Sequence, residues 1–221
     1  SGTLNAGSSS IFNFNGTSPQ LIPLGMSNII FNNIYTNNTS PGGAILNGAV
    51  TATNVNGDIR VKSGLLNNGA NPIVGNSLKT FEISEGATFR LTGMSASPTG
   101  FLNQVFSTNS TTEFAGTNQS INPAIYGILI TSGTGTKTLS GNITVKGDIT
   151  INSGSSLNVS PGNFGITAQG DWINNGSFIS QNGTIFFNGT DPQNIGGSSA
   201  STFNNLSINN SSGVTLQQNE S

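Results

Sequence analysis

Glycoside hydrolysis is the chemistry that the carboxylates of this chain would serve, because it needs two of them at a set separation, one with a raised pKa. The candidates are Asp58, Glu82, Glu85, Glu113, Asp148, Asp171, Asp191 and Glu220. Asp58 and Asp148 occupy equivalent places after Gly57 and Gly147, and Asp171 follows Gly170 in the same way. An Asp after a Gly at a turn ordinarily bonds its own backbone, so these three read as structural. Glu82 and Glu85 flank a strand-like segment near Lys79 and Arg90, as on a solvated charged face. The chain has no His and no Cys. That excludes the usual zinc, haem and iron–sulfur ligand sets and the Cys or Ser–His nucleophile systems. No residue is assigned a catalytic role, and the chain is expected not to be an enzyme.

Three kinds of binding site are weighed in the same way. Calcium needs several oxygen ligands, but neither Gly42-Gly43 nor Gly196-Gly197 continues into the Gly-x-Asp of calcium-binding β-rolls. No cofactor is expected, with an adventitious calcium at Asp171 or Asp191 as the one exception weighed. Ice binding needs a flat Thr array. Thr51-Ala52-Thr53 and Thr134-Gly135-Thr136-Lys137-Thr138 supply local pairs without a constant spacing, and Lys137 is expected to break the plane. Sugar recognition uses exposed aromatic rings. Tyr35, Tyr126 and Trp172 are the amphipathic aromatics, but Tyr126 and Trp172 fall at repeat positions where core packing is expected. The Phe residues are assigned to the core by the same pattern.

Short strands must position any such group. Ile59-Arg60-Val61, Phe81-Glu82-Ile83, Phe89-Arg90-Leu91, Ile143-Thr144-Val145, Ile149-Thr150-Ile151 and Leu157-Asn158-Val159 all alternate apolar and polar residues. This is the period of a strand with one buried face, and no window holds a helical period. Seven Asn-Gly pairs punctuate the chain and mark turns, since both residues tolerate positive φ. The 221 residues include 33 Asn, 30 Gly, 30 Ser and 25 Thr, yet 33% are hydrophobic and only 6% charged, which separates the chain from charged disordered segments. A net charge of −2 with six Lys and Arg gives no nucleic-acid footprint. No aliphatic run approaches the roughly 20 residues of a membrane helix, so no membrane insertion is expected.

Internal repetition is the most informative feature. Phe14-Asn15-Gly16-Thr17-Ser18-Pro19-Gln20 returns as Phe187-Asn188-Gly189-Thr190-Asp191-Pro192-Gln193, with a weaker copy at Phe114-Ala115-Gly116-Thr117-Asn118-Gln119. A second element, Gly57-Asp58-Ile59-Arg60-Val61, is matched by Gly147-Asp148-Ile149-Thr150-Ile151, and Gly170-Asp171-Trp172 has the same opening. The expected organisation is one repeat array over 1–221, with units near 1–93, 94–175 and a truncated 176–221, cut from a longer chain. These repeats predict an all-β, elongated parallel β-solenoid (β-helix) with essentially no helix. Inward Ile, Val, Leu and Phe would stack from turn to turn, and Asn or Gly would fill the corners. The alternative is a series of antiparallel β-sandwich domains, which Asn-Gly hairpins would favour. A single Trp and two Tyr are few for sandwich cores.

The segments Gly-Asp-Trp-Ile-Asn-Asn-Gly-Ser-Phe (170–178), Gly-Thr-Ile-Phe-Phe-Asn-Gly-Thr-Asp-Pro-Gln-Asn-Ile (183–195) and Phe-Asn-Asn-Leu-Ser-Ile-Asn-Asn (203–210) resemble the β-strand repeat regions of large Bacteroidota surface proteins. Such proteins are typically exported by the type IX secretion system, and they include giant cell-surface adhesins, some linked to gliding motility. The resemblance implies an extracellular, cell-surface location and a stalk or adhesive-fibre role. The implied partners are neighbouring repeats of the same parent chain, with surface glycans or the secretion machinery as further ones. A carbohydrate-binding or polysaccharide-degrading β-helix and an ice-binding solenoid are the competing expectations.

Overall fold

A computed structural model describes residues 3–217, in which strands are joined by turns and bends and no helix occurs. Glu220 and the end of the 176–221 repeat lie outside the described residues. Contacts divide the chain into two compact units, Ser1–Ser110 and Thr111–Ser221. Each is a parallel β-solenoid. Every strand pairing among the described residues of either unit is parallel, which removes the antiparallel sandwich alternative.

In the first unit, one sheet stacks Ile11–Phe14, Asn33–Thr36, Ile59–Val61, Thr80–Ile83 and Asn103–Phe106 in that order. A second stacks Gln20–Ile22, Ala44–Leu46, Leu65–Asn67 and Thr88–Leu91. The third side is held by the pair Leu4–Asn5 with Ile29–Ile30 and by single bridges such as Val50 to Ile73. Ile11 pairs with Asn33 and Ile34 with Ile59, so one turn takes 22 to 25 residues.

The second unit has three complete sides. They stack Thr111–Phe114, Ile128–Thr131, Ile149–Ile151, Trp172–Asn174, Gln193–Gly196 and Val214–Leu216 on one side. Gln119–Ile121, Gly135–Leu139, Ser155–Asn158 and Ser177–Ile179 form another. Ile125–Tyr126, Ile143–Val145, Ile166–Ala168, Thr184–Phe187 and Asn205–Ile208 form the last. Thr111 pairs with Ile128, Leu129 with Ile149, and Ile149 with Trp172, so successive turns take 17, 20 and 23 residues. The surplus is taken up at corners, where added residues cost little loop entropy.

The period-2 pattern decides what is buried. Ile59 and Val61 face in while Arg60 faces out, and Ile149 and Ile151 face in while Thr150 faces out. Trp172 anchors an aromatic cluster, 4.8 Å from Phe178 and 5.5 Å from Phe203 between ring centroids. The interior is not wholly apolar, however. Thr36, Asn38, Asn68, Thr131, Lys137, Asn174 and Gln193 are buried too. Most of these polar side chains satisfy corners: Asn174, for example, donates to the carbonyl of Ala200 and to Ser201 Oγ.

The Asn-Gly pairs also act differently from the expectation. Of their glycines only Gly48 and Gly69 have positive φ, and none of the seven Asn does, so they are not two-residue hairpin turns. Packing against the neighbouring turn is the reason for glycine elsewhere. A Cβ on Gly57 would collide with Asn32, and one on Gly189 with the carbonyl oxygen of Gln169.

Candidate functional site

The acidic residues are distributed along the two solenoids according to the strands that carry them. On the outer face of the first unit's five-stranded sheet, Tyr35, Arg60 and Glu82 stand in register on consecutive turns. Arg60 binds Asp58 and Glu82, each at 2.9 Å, and Lys62 binds Glu82 at 3.3 Å. Arg60 and Lys62 both lie 5.8 Å from the Tyr35 ring centroid, a cation–π geometry. Glu82 is therefore paired with Arg60 and Lys62, while Glu85 accepts the backbone N–H of Asn109. Burial pushes the Glu82 carboxyl up, but the hydrogen bond from Ser84 and the interactions with Lys62 and Arg60 outweigh it, leaving the pKa below 4.5. That is opposite to the raised pKa of a general acid. The Arg60 pKa is raised, first by its hydrogen bond to Asp58, with burial opposing and the Glu82 charge adding.

The Asp residues of the Gly-Asp elements bond forward, to the next turn, and not only within their own. Asp58 Oδ1 accepts the N–H of Thr80 at 2.9 Å, one turn ahead, and the N–H of Asp58 is itself held by Asn33 Oδ1 at 2.9 Å. In the second unit Asp171 accepts the N–H of Asn194 at 2.8 Å, and Gln217 Nε2 donates to Asn194 Oδ1 at 2.7 Å. The paired Gly147 and Gly170 explain why glycine precedes these acids: a Cβ on Gly170 would meet the Gly147 backbone.

The Phe-x-Gly-Thr repeats close on a glutamine whose role the sequence reading missed. Gly16 N–H donates to Gln20 Oε1 at 2.7 Å, Gly116 N–H to Gln119 Oε1 at 2.9 Å, and Gly189 N–H to Gln193 Oε1 at 2.9 Å. In the outer two copies an Asn from the next turn completes the clasp: Asn38 donates to Gln20 and Ser18, and Asn210 to Gln193 and Asp191. In the middle copy Lys137 pairs in register with Gln119, and its buried ammonium donates to the carbonyls of Gly116 (2.9 Å) and Thr134 (2.7 Å). The signal was the constant return of Gln three or four residues after the Gly.

Two of the three sugar-contact candidates are core residues. Trp172 is fully buried, with its Nε1 donating to Ser201 Oγ at 2.9 Å, and Tyr126 is buried with its hydroxyl on the Asn122 carbonyl at 2.8 Å. Neither offers a ring face to a ligand. Tyr35 is half-buried under its cations. Lys137 does not break a Thr plane either, because it faces inward while Thr136 and Thr138 face outward. Asp171, weighed for calcium, is held by the Asn194 backbone and side chain. No group of three or more acidic residues suited to a metal gathers among the described residues.

An opening of about 460 Å³ lies in the first unit beside Leu24, Met26, Ile30, Thr51 and Asn54, and no titratable group lines it. Two smaller ones flank Phe186, an outward-facing ring assigned to the core from sequence and 41% exposed. No protein-family model, no curated protein and no solved structure matches this chain.

Proposed function

We propose that the chain is a non-catalytic structural segment of a secreted bacterial cell-surface adhesin, in which each solenoid carries tension from turn to turn. The observation that carries this reading is the direction of the polar bonds. Asp58, Asp171, Asn194, Asn38 and Asn210 use their side chains to hold the adjacent turn. These bonds add to the parallel strand ladder, and both run along the stacking direction, so load on one turn passes to the next through many bonds at once.

The resemblance of 170–210 to Bacteroidota repeat regions supports the extracellular location and export through type IX secretion. Neighbouring repeats of the same parent chain are the proposed partners. Leu206, Ile208 and Leu216 stand above Ile185, Phe187 and Ile195 in the inward columns, yet are about half exposed. In the first unit Ile34, placed in the same way above Phe12, is covered by Ile59 and fully buried. A turn of the Gly-Asp-Ile type therefore fits the exposed face.

Single-molecule stretching tests the reading. A turn of about 22 residues releases roughly 75 Å of chain, so lengthening should come in multiples of that step at forces well above those that straighten an unfolded chain. Collapse of either unit at negligible force would refute the spacer role.

A further inference from the structure

We propose that Phe186 and the two grooves beside it form a binding site for a neutral glycan on the lateral face of the second unit. The site is separate from the aromatic candidates read from sequence and independent of the spacer role.

Phe186 belongs to an outward column, Ile125, Thr144, Thr167, Phe186 and Ser207, on five consecutive turns. Its neighbours in the strand, Ile185 and Phe187, are buried, so the backbone holds the ring outside. The ring edge approaches Gly165, where an added Cβ would lie 3.3 Å from Phe186 Cε2. A glycine there leaves room for that edge, and the side chain is 41% exposed.

One groove, about 280 Å³, is lined by Asn142, Asn163, Gly165, Thr167, Thr184 and Phe186. The other, about 260 Å³, continues past the ring to Asn188, Ser207 and Asn209. Each is near the lower bound of about 300 Å³ for ligand sites, which suits one sugar ring on each side of the aromatic. Asn142 Oδ1 accepts the Gly165 N–H at 2.8 Å, and Asn163 Oδ1 accepts the Asn182 N–H at 3.0 Å. With the oxygens fixed on backbone donors, both amide Nδ2 groups remain available. Among the described residues, no charged one lines either groove. A pyranose matches this chemistry: its C–H face covers an aromatic ring and its hydroxyls meet uncharged amides and hydroxyls. An anionic ligand would find no countercharge.

The test is saturation-transfer NMR of the chain with cellohexaose, laminarihexaose and chitohexaose, each at millimolar concentration. At least one should receive saturation, and in amide correlation spectra of the labelled chain the shifts it causes should be confined to 142–144, 163–167, 184–188 and 207–209. Phe186→Ala should weaken binding about tenfold or more with an unchanged circular dichroism spectrum, and Phe186→Trp should retain it. Should Phe186→Ala misfold, Asn188→Ala, whose side chain makes no hydrogen bond among the described residues, should weaken binding without unfolding. Failure of all three oligosaccharides to bind, or equal binding by wild type and the folded variants, would overturn the proposal. Loss of turn-sized steps in stretching would leave it untouched.

Discussion

Asp148 Oδ1 accepts the backbone N–H of Asp171, 2.8 Å away and one turn further along the solenoid. Asp171 repeats the contact with Asn194, so a single corner carries a chain of side-chain bonds across three turns. A carboxylate accepting a backbone N–H makes a charge-assisted bond, stronger than a neutral one.

Asp171→Ala removes that acceptor and leaves the Asn194 N–H without it. The expected loss is about 1–3 kcal/mol in urea unfolding. Asp171→Asn keeps an oxygen in place and should cost less than half as much. Equal losses would mean that charge, and not the bond to the next turn, is what matters at this corner.

Ile149 is fully buried between Leu129 and Trp172, whereas Thr150 beside it faces outward. Ile149→Asp should destabilise the second unit by about 4 kcal/mol or more, because an unpaired charge is forced inside. Thr150→Asp should stay within about 1 kcal/mol. Comparable unfolding midpoints for the two would contradict the assigned register.

Lys137 is buried against two carbonyls, and desolvation lowers its pKa from 10.5 to about 8. Between these values the unfolded chain binds the proton and the folded one releases it, so stability should rise as pH increases from about 8 to 10.5. The melting temperature of Lys137→Met should lack that rise. A wild-type melting temperature that falls across the same window, with Lys137→Met unaffected, would show that the ammonium stays charged in the fold.

Gln193 is buried, taking the Gly189 N–H and giving its own amide to the carbonyls of Ala168 and Gly170. Gln193→Leu should therefore cost about 2–3 kcal/mol by leaving these groups unpaired. A neutral effect in thermal unfolding would reduce the clasp to a coincidence of packing.

Much of this was legible in the chain. The alternation in Ile59-Arg60-Val61 and Ile149-Thr150-Ile151 gave both strand and facing, and the returning Phe-x-Gly-Thr and Gly-Asp elements pointed to stacked turns. The same alternation, applied strictly, also puts Lys137 inside with Leu139 and Phe186 outside between Ile185 and Phe187. Residue chemistry had overridden period there, since a lysine is usually exposed and a phenylalanine usually buried. The forward bonds of Asp58 and Asp171 were not legible, because a bond between residues more than 20 apart depends on turn length. The Asn-Gly pairs misled for a related reason: their glycines mostly answer to a neighbouring backbone that no local pattern reveals.

The most direct measurement of the central claim, that each turn lies in parallel register on the one before, uses paired cysteines in a chain that has none of its own. Thr144 and Thr167 are outward register partners on adjacent turns, at a strand spacing of about 4.8 Å that suits a disulfide. Thr144→Cys with Thr167→Cys should close readily under mild oxidation and raise the melting temperature. Pairing Thr144→Cys with Thr150→Cys, which lies on a different side of the solenoid, should not close. Cross-linking of the second pair as fast as the first, or of neither, would contradict the stacked-turn account.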